Sequence, residues 1–238
     1  MIKAVTFDLW NTLISEGSYE DLRAELLTKI LNERGIPRDH NEVRKAYFAA
    51  HERAHKIGRK ENYRYVSPDE RLGYTLEDLR ASLPTNLKTL ILKEFKETIL
   101  RCPPSLVEGV NDVLRFLKSN YRLGIICDTS MTPGKVLRIM LERAKILGFF
   151  EATAFSDEVG YNKPHRLIFE TALGQLRVNP SEAVHVGDLI QTDIAGAKAI
   201  GMRAIWFNRK GTVNTGQYSP DFQIAALPQL TEVLRKIS

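Results

Sequence analysis

From Ile2 to Leu9 the chain is apolar and β-prone, the pattern of a buried strand, and Asp8 falls near its carboxyl end. The next segment of that character is Leu123 to Cys127, and the long stretch between them has helical periodicity. Leu22, Leu26, Leu27, Ile30 and Leu31 mark one amphipathic stripe, and Val43, Tyr47, Phe48 and Ala54 mark a second. Ser67-Pro68 has the residue types of an N-cap and first helical position, and Leu87, Leu90, Ile91 and Phe95 predict a fourth helix. Cys102-Pro103-Pro104 is stiff and extended, which suits a linker.

After the linker the pattern alternates. Helix 111–119, strand 122–127, helix 133–147, strand 152–156, helix 165–177, strand 183–187, helix 192–200 and strand 202–207 form a repeated βα series. An irregular segment from Arg209 to Tyr218, an edge strand near Phe222 to Ala225 and a terminal helix from Gln229 to Ile237 complete it. The expected fold class is α/β: a doubly wound parallel sheet, Rossmann-like, with an inserted α-helical module. The domain expectation is a core of residues 1–15 and 103–238 interrupted by a helical domain of residues 16–102.

Composition narrows the function classes. With 238 residues, 43% hydrophobic and 26% charged, the chain can bury a sizeable core. No apolar run reaches the roughly 18 residues of a membrane helix, and the N-terminus lacks a secretory layout, so a cytoplasmic protein with no membrane partner is expected. The net charge of +5 comes from Lys and Arg dispersed beside Asp and Glu, which argues against a nucleic-acid partner. Cys102 and Cys127 form no metal or disulfide pattern and fit a reducing compartment. No oligomeric state is specified.

In doubly wound sheets ligands bind outside the carboxyl ends of the strands, so acidic residues placed there converge in space. Asp8 follows the first strand, Cys127-Asp128-Thr129-Ser130 the second, Lys163 comes after the third, and Gly187-Asp188 with Asp193 follows the fourth. An aspartate ending a strand is often only a turn former or helix cap, and Lys163-Pro164 alone reads as a loop. Several acidic strand ends with one lysine are nevertheless the ingredients of a hard-cation site beside an anionic substrate.

In this order the segments resemble the haloacid dehalogenase-like superfamily, whose first motif reads Asp-x-Asp-x-Thr and whose last reads Gly-Asp-x-x-x-x-Asp. Here they are Asp8-Leu9-Trp10-Asn11-Thr12 and Gly187-Asp188-Leu189-Ile190-Gln191-Thr192-Asp193, with Val159-Gly160-Tyr161-Asn162-Lys163-Pro164 similar to the third motif. The helical insert lies where the superfamily places its C1-type cap. The resemblance implies an Asp8 nucleophile that forms an aspartyl intermediate. It also implies Mg²⁺ held by Asp8, Asp188 and the Trp10 carbonyl, and charges steadied by Lys163. Asp193 is assigned to the metal group and is expected to orient the loop or a metal-bound water. Thr12 holds either substrate or loop, and Asn162 is expected on the substrate side.

The chain also departs from the family. Phosphatases carry at the Trp10 position a second aspartate that protonates the leaving group and activates water, and indole can do neither. General acid-base catalysis contributes about 10² to 10⁴ in rate, so turnover is expected to be slowed. An aromatic there resembles the 2-haloacid dehalogenases, which need no metal, although those lack the Gly-Asp motif retained at Asp188. Cys127 stands where a phosphate-binding hydroxyl is usual, so Thr129 is expected to supply the hydroxyl as a catalytic residue, and Asp128 either replaces the lost acid-base group or caps its turn. His51 and His55 have helical i, i+4 spacing without a third metal ligand and are expected at the surface or on the substrate side; Arg209-Lys210-Gly211 reads as a solvated loop.

The expected function is a Mg²⁺-dependent phosphatase acting on a small phosphorylated metabolite through an aspartyl-phosphate on Asp8. The alternatives are a metal-independent 2-haloacid dehalogenase and a weakly catalytic module that binds a phospho-ligand or protein.

Overall fold

The computed structural model describes residues 1–17, 19–214 and 216–237. One six-stranded parallel sheet runs through it in the order β3-β2-β1-β4-β5-β6. Its strands are β1 (Ala4–Phe7), β2 (Arg122–Cys127), β3 (Ala152–Phe155), β4 (Ala183–Gly187), β5 (Arg203–Phe207) and β6 (Phe222–Ile224). β1 is central, pairing Phe7 with Ile125 on one side and Val186 on the other. The strand order reverses at β1, so the chain following β1, β2 and β4 leaves the same edge of the sheet at the topological switch point.

The helices are α1 (Tyr19–Glu33), α2 (His40–Lys60), α3 (Pro68–Asp78), α4 (Thr85–Arg101), α5 (Val110–Lys118), α6 (Gly134–Arg143), α7 (Ser156–Val159), α8 (Arg166–Leu176), α9 (Ala195–Ala199) and α10 (Gln229–Ile237). The α/β core packs Ile126, Ala154, Phe169, Leu173, Leu176 and Ile194 into one buried cluster. Gly124 in β2 admits this packing: a Cβ there would come within 3.1 Å of Leu176 and 3.3 Å of Thr6.

The chain divides into two compact units, one of Met1–Glu16, Pro104–Asp128 and Leu141–Ser238, the other of Gly17–Pro103 and Thr129–Met140. The second unit is helical, with Leu27, Leu31, Val43, Tyr47, Ile91 and Phe95 in its core. It includes Thr129–Met140, which the sequence reading had assigned to the α/β core. The reason is that Met131 packs into the helical cluster instead of onto the sheet.

Several sequence expectations are corrected. β1 is shorter than residues 2–9, because the chain turns back immediately after it, with the Leu13 and Ile14 amides donating to the Leu9 carbonyl. The helix expected over 192–200 begins as a π-helical turn, Ile190–Ile194, and continues as α9. Leu22, Phe48 and Leu90 are exposed, while Arg23 is buried in their stead; the buried face of α1 is Tyr19, Arg23, Ala24, Leu27 and Leu31. Phe48 instead lies under the Arg44 guanidinium, 4.7 Å from its ring centre. Arg209, Lys210 and Gly211 are exposed; of the irregular segment 209–218, Thr215 lies outside the described residues. No helix among the described residues is long and apolar enough to cross a membrane.

Ser67 begins α3 with a capping box: its hydroxyl accepts from the Glu70 amide and the Glu70 carboxylate accepts from the Ser67 amide. Replacing the serine by alanine removes the partner of the Glu70 amide, while the backbone bond to the Glu70 carboxylate remains, and costs about 1 kcal/mol. Ser67→Ala is therefore expected to lower the thermal midpoint by about 2–4 °C for a chain of this size; an unchanged melt would show that the cap is dispensable.

Candidate active site

The centre of the site is the ammonium of Lys163. It donates to Asp8 Oδ1 at 2.5 Å, to Asp193 Oδ1 at 2.7 Å and to the Ile126 carbonyl at 3.2 Å. These three bonds use every donor of the group. Asp8, Lys163 and Asp193 are 6%, 4% and 0% exposed, so the charges are withdrawn from water and each depends on the others.

Each element explains why its residue stands there. Asp8 is carried by the central strand, and its amide donates to the Val186 carbonyl at 2.8 Å as the ladder to β4 ends. The loop beyond it turns at Asn11, which adopts a left-handed conformation (φ 58°) that asparagine tolerates. Trp10 is half-buried at this turn and bridges to Ile14. Thr12 is fully buried and its hydroxyl has no hydrogen-bond partner. The loop is held by backbone bonds, so the hydroxyl is not what ties it.

Asp193 sits in the π-helical turn after β4. Its Oδ2 accepts from the Leu189 amide at 2.9 Å, and its Oδ1 is shared by Lys163 and His185 Nε2, the latter at 3.2 Å. All its acceptor positions thus serve to orient Lys163 and the loop. Gly187 is required by the same packing, because a Cβ there would overlap the Asp193 carboxylate. π-helical turns of this kind recur where a functional side chain must be re-aimed.

His185 and Thr6 were not anticipated. His185 lies fully buried on β4, with Nδ1 2.9 Å from the Thr6 hydroxyl and its ring edge-on to Phe169 at 5.3 Å. An ionised Asp193 only accepts, so His185 donates from Nε2 and accepts from Thr6 at Nδ1. Burial holds the imidazole neutral, below its ordinary pKa. A hydrogen-bonded line, Thr6–His185–Asp193–Lys163–Asp8, therefore runs across β1 and β4. The available signal was a polar residue in each of two otherwise apolar central strands.

The second motif is split by the structure. Cys127 is fully buried, its thiol donating to the Asp128 carbonyl at 3.5 Å, and burial holds it protonated. Asp128 Oδ1 accepts from the Lys163 amide at 2.8 Å, so this carboxylate ties the segment bearing Lys163 to the end of β2. Thr129 belongs to the helical unit and is buried. Asn162 is half-buried, and its carbonyl accepts from the His165 amide at 3.0 Å.

Asp8, Asp128, Asp188 and Asp193 all act electrostatically on the one Lys163 charge or are acted on by it, which leaves the α/β unit with an excess of negative charge here. Burial and the neighbouring Asp193 and Asp188 push Asp8 up to about 8 against the pull of Lys163. Burial and Asp193 push the half-buried Asp188 up to about 6. Asp193 is held low by Lys163 and His185, against the effect of its own burial. Of the two, Asp8 is the one whose ionised form is disfavoured, having fewer donors than Asp193. Asp8 and Asp188 supply hard oxygen donors and unbalanced charge, a set that fits a divalent cation such as Mg²⁺.

His51 and His55 on α2 lie with ring centres 4.8 Å apart. His51 is half-buried and its Nδ1 accepts from Arg71 at 3.3 Å, while burial and Arg71 push its pKa down to about 3. Of the pair expected at the surface or on the substrate side, His51 is half-buried against Arg71 and His55 is exposed.

A family model for haloacid dehalogenase-like hydrolases matches residues 2–201. The chain is 31% identical to glyceraldehyde 3-phosphate phosphatase of Pyrococcus furiosus, over 99% of this chain and 94% of that protein. A crystal structure of a 2-haloacid dehalogenase from Pseudomonas syringae pv. Tomato DC3000 matches with a TM-score of 0.76 and 28% identity, covering 100% of both chains. A crystal structure of a haloacid dehalogenase-like phosphatase from Thermococcus onnurineus matches with a TM-score of 0.70 and 26% identity, covering 98% of both. With the ordered motifs converging on Lys163, the chain belongs to the haloacid dehalogenase-like hydrolase family.

Proposed function

We propose that the protein is a Mg²⁺-dependent phosphatase of small phosphorylated metabolites, glyceraldehyde 3-phosphate among them, working through an aspartyl-phosphate on Asp8. The observation that carries the reading is the buried Lys163 bridging Asp8 and Asp193 beside the raised Asp188. The name of the Pyrococcus furiosus relative supports the substrate class.

Asp8 and Asp188, with the Trp10 carbonyl, are the proposed holders of Mg²⁺. The bound cation supplies positive charge that favours ionised Asp8 and offsets the substrate's phosphoryl oxygens. An Asp8 oxygen attacks phosphorus, the phosphorus–ester oxygen bond breaks, and the departing alkoxide takes a proton from water. A second water then attacks the phosphorus of the aspartyl-phosphate, restoring Asp8 and releasing phosphate. Lys163 keeps Asp8 in place and counters charge, and Asp193 fixes Lys163. Asp128 is proposed to act as a tie, its Oδ1 accepting from the Lys163 amide. Thr12, with its unpartnered buried hydroxyl, is proposed to meet substrate, along with Asn162; Thr129 is the proposed hydroxyl of the second motif. The helical unit is proposed to select substrate shape.

A second reading is favoured by Trp10 and by the Pseudomonas syringae neighbour: a 2-haloacid dehalogenase in which Asp8 displaces halide from carbon without a metal. Chloride release from 2-chloropropionate in EDTA, without phosphate release in Mg²⁺, is the result that selects it.

Asp8→Asn is expected to reduce Mg²⁺-dependent phosphate release from glyceraldehyde 3-phosphate by at least about 10³-fold, since a nucleophile cannot be replaced by its neighbours. Trp10→Asp is expected to raise kcat about tenfold or more, because it restores a leaving-group acid worth about 10² to 10⁴. Steady-state kinetics check both; equal turnover of wild type and Asp8→Asn contradicts the mechanism.

The metal-free protein should also show a defined pH dependence. Asp8 keeps its proton in the folded state up to about 8 but loses it near 3.8 when unfolded, so stability falls as pH rises towards 8. His51, His55, His165 and His185, all lowered first by burial, add stability as pH rises through the unfolded histidine value of 6.5, and only the tail of that gain opposes the Asp8 effect above pH 7. Between pH 7 and 8 the wild-type melting temperature should therefore drop, by up to about 1 kcal/mol in stability. Asp8→Asn should be flatter there, and Mg²⁺ should stabilise wild type more at pH 8 than at pH 7. Thermal melts of the two proteins, each with and without Mg²⁺, check this.

A further inference from the structure

Within the helical unit, two buried arginines have no carboxylate in direct ion-pair contact among the described residues. Arg23 on α1 is 4% exposed and Arg71 on α3 is 5% exposed. Arg23 donates to the Phe95 carbonyl at 3.0 Å and to the Thr132 hydroxyl at 2.8 Å. Arg71 donates to the Val66 carbonyl at 3.0 Å and to His51 Nδ1 at 3.3 Å. Every one of these partners is neutral. An isolated charge taken out of water is costly unless it is paired, and guanidinium groups in buried positions ordinarily meet a carboxylate or phosphate.

The neighbouring polar groups reinforce the imbalance. Tyr47 on α2 is 4% exposed, and its buried hydroxyl makes no hydrogen bond of good geometry, although the Arg23 guanidinium lies close enough to favour its ionised form. That hydroxyl lies within electrostatic reach of both Arg23 and Arg71. Because His51 accepts from Arg71, it is neutral and carries its proton on Nε2, adding another donor. Tyr65, which also influences Arg71, donates to the Ser130 carbonyl at 3.1 Å, and the Ser130 hydroxyl is itself buried and unpartnered. The cluster is rich in donors and positive charge and poor in acceptors. The carboxylates that act on it, Glu70 on Arg71 and Glu20 on Tyr47, do so without a direct bond to either arginine, Glu70 being held by Arg64 and the Ser67 amide.

We infer that Arg23, Arg71 and Tyr47 line an oxyanion-binding subsite of the helical unit, which takes a carboxylate or phosphate group of a small metabolite. The two guanidinium groups have donors beyond the two engaged on each, arranged in planar forks that match either oxyanion. Tyr47 supplies a further hydroxyl while its ring stays packed edge-on to Phe95 at 5.9 Å. The competing structural role, in which Arg23 merely cross-links α1 to the Phe95 carbonyl on α4, leaves the remaining guanidinium donors of Arg23 and Arg71 without a direct acidic acceptor.

The test uses the full chain as Asp8→Asn without divalent cation, so that it is independent of turnover and of the proposed metal. Inorganic phosphate and acetate are titrated separately at ionic strength matched with sodium chloride, with calorimetric binding and thermal melts as readouts. Saturable binding is expected, and the tighter of the two anions identifies the group. Tyr47→Phe, which retains the ring, is expected to weaken that binding about tenfold, and Arg71→Met to abolish it. Absence of saturable binding by either anion overturns the assignment. So does binding of equal affinity in the parent and Tyr47→Phe, which stays informative should Arg71→Met fail to fold.

Discussion

The site depends on one buried ammonium. Lys163 binds Asp8 from the central strand, Asp193 from the turn after β4 and the Ile126 carbonyl of β2, so three segments distant in sequence are fixed by one group. Buried ion pairs add little net stability when complete, but removing one partner costs about 3–5 kcal/mol because the other charge remains in a poor solvent. This asymmetry makes the cluster a specification of geometry more than a source of stability. His185 and Thr6 extend it into the sheet, where rotation of Asp193 would break contacts on β1 and β4 together.

The same constraint accounts for features that otherwise look arbitrary. Gly187 has no side chain because the Asp193 carboxylate occupies that space, and the helix after β4 opens with a wider turn that carries Asp193 inward. Lys163 satisfies Asp193 and holds Asp8 but leaves the remaining acidic groups uncompensated. A carboxylate meant to attack must be ionised, yet burial and like charges raise Asp8. A divalent cation held by Asp8 and Asp188, as proposed, would resolve that conflict by favouring the ionised form.

Much of this arrangement was legible in the residues. Parallel strands were readable from short apolar runs at βα spacing, and the order of Asp8, Lys163, Asp188 and Asp193 at strand ends anticipated that these side chains interact. His185 was not, because a fully buried strand shows no alternation that would mark one histidine as facing a partner. Arg23 was missed for the opposite reason: hydrophobicity selected Leu22 for the buried face, whereas the side chains that turn inward include Tyr19, Arg23, Leu27 and Leu31 at i, i+4 spacing. Periodicity likewise could not assign Thr129–Met140 to the helical unit, since the segment sits inside a regular βα series and only packing of Met131 distinguishes it.

The central claim is that Asp8 itself is phosphorylated. Acid-quenching the wild-type protein during turnover of glyceraldehyde 3-phosphate with Mg²⁺, followed by peptide mass spectrometry, tests it directly. The account predicts a phosphoryl group on the peptide containing Asp8, located at that carboxylate. Phosphate released into solution at full rate from a protein whose Asp8 peptide is never modified at any quench time would contradict it.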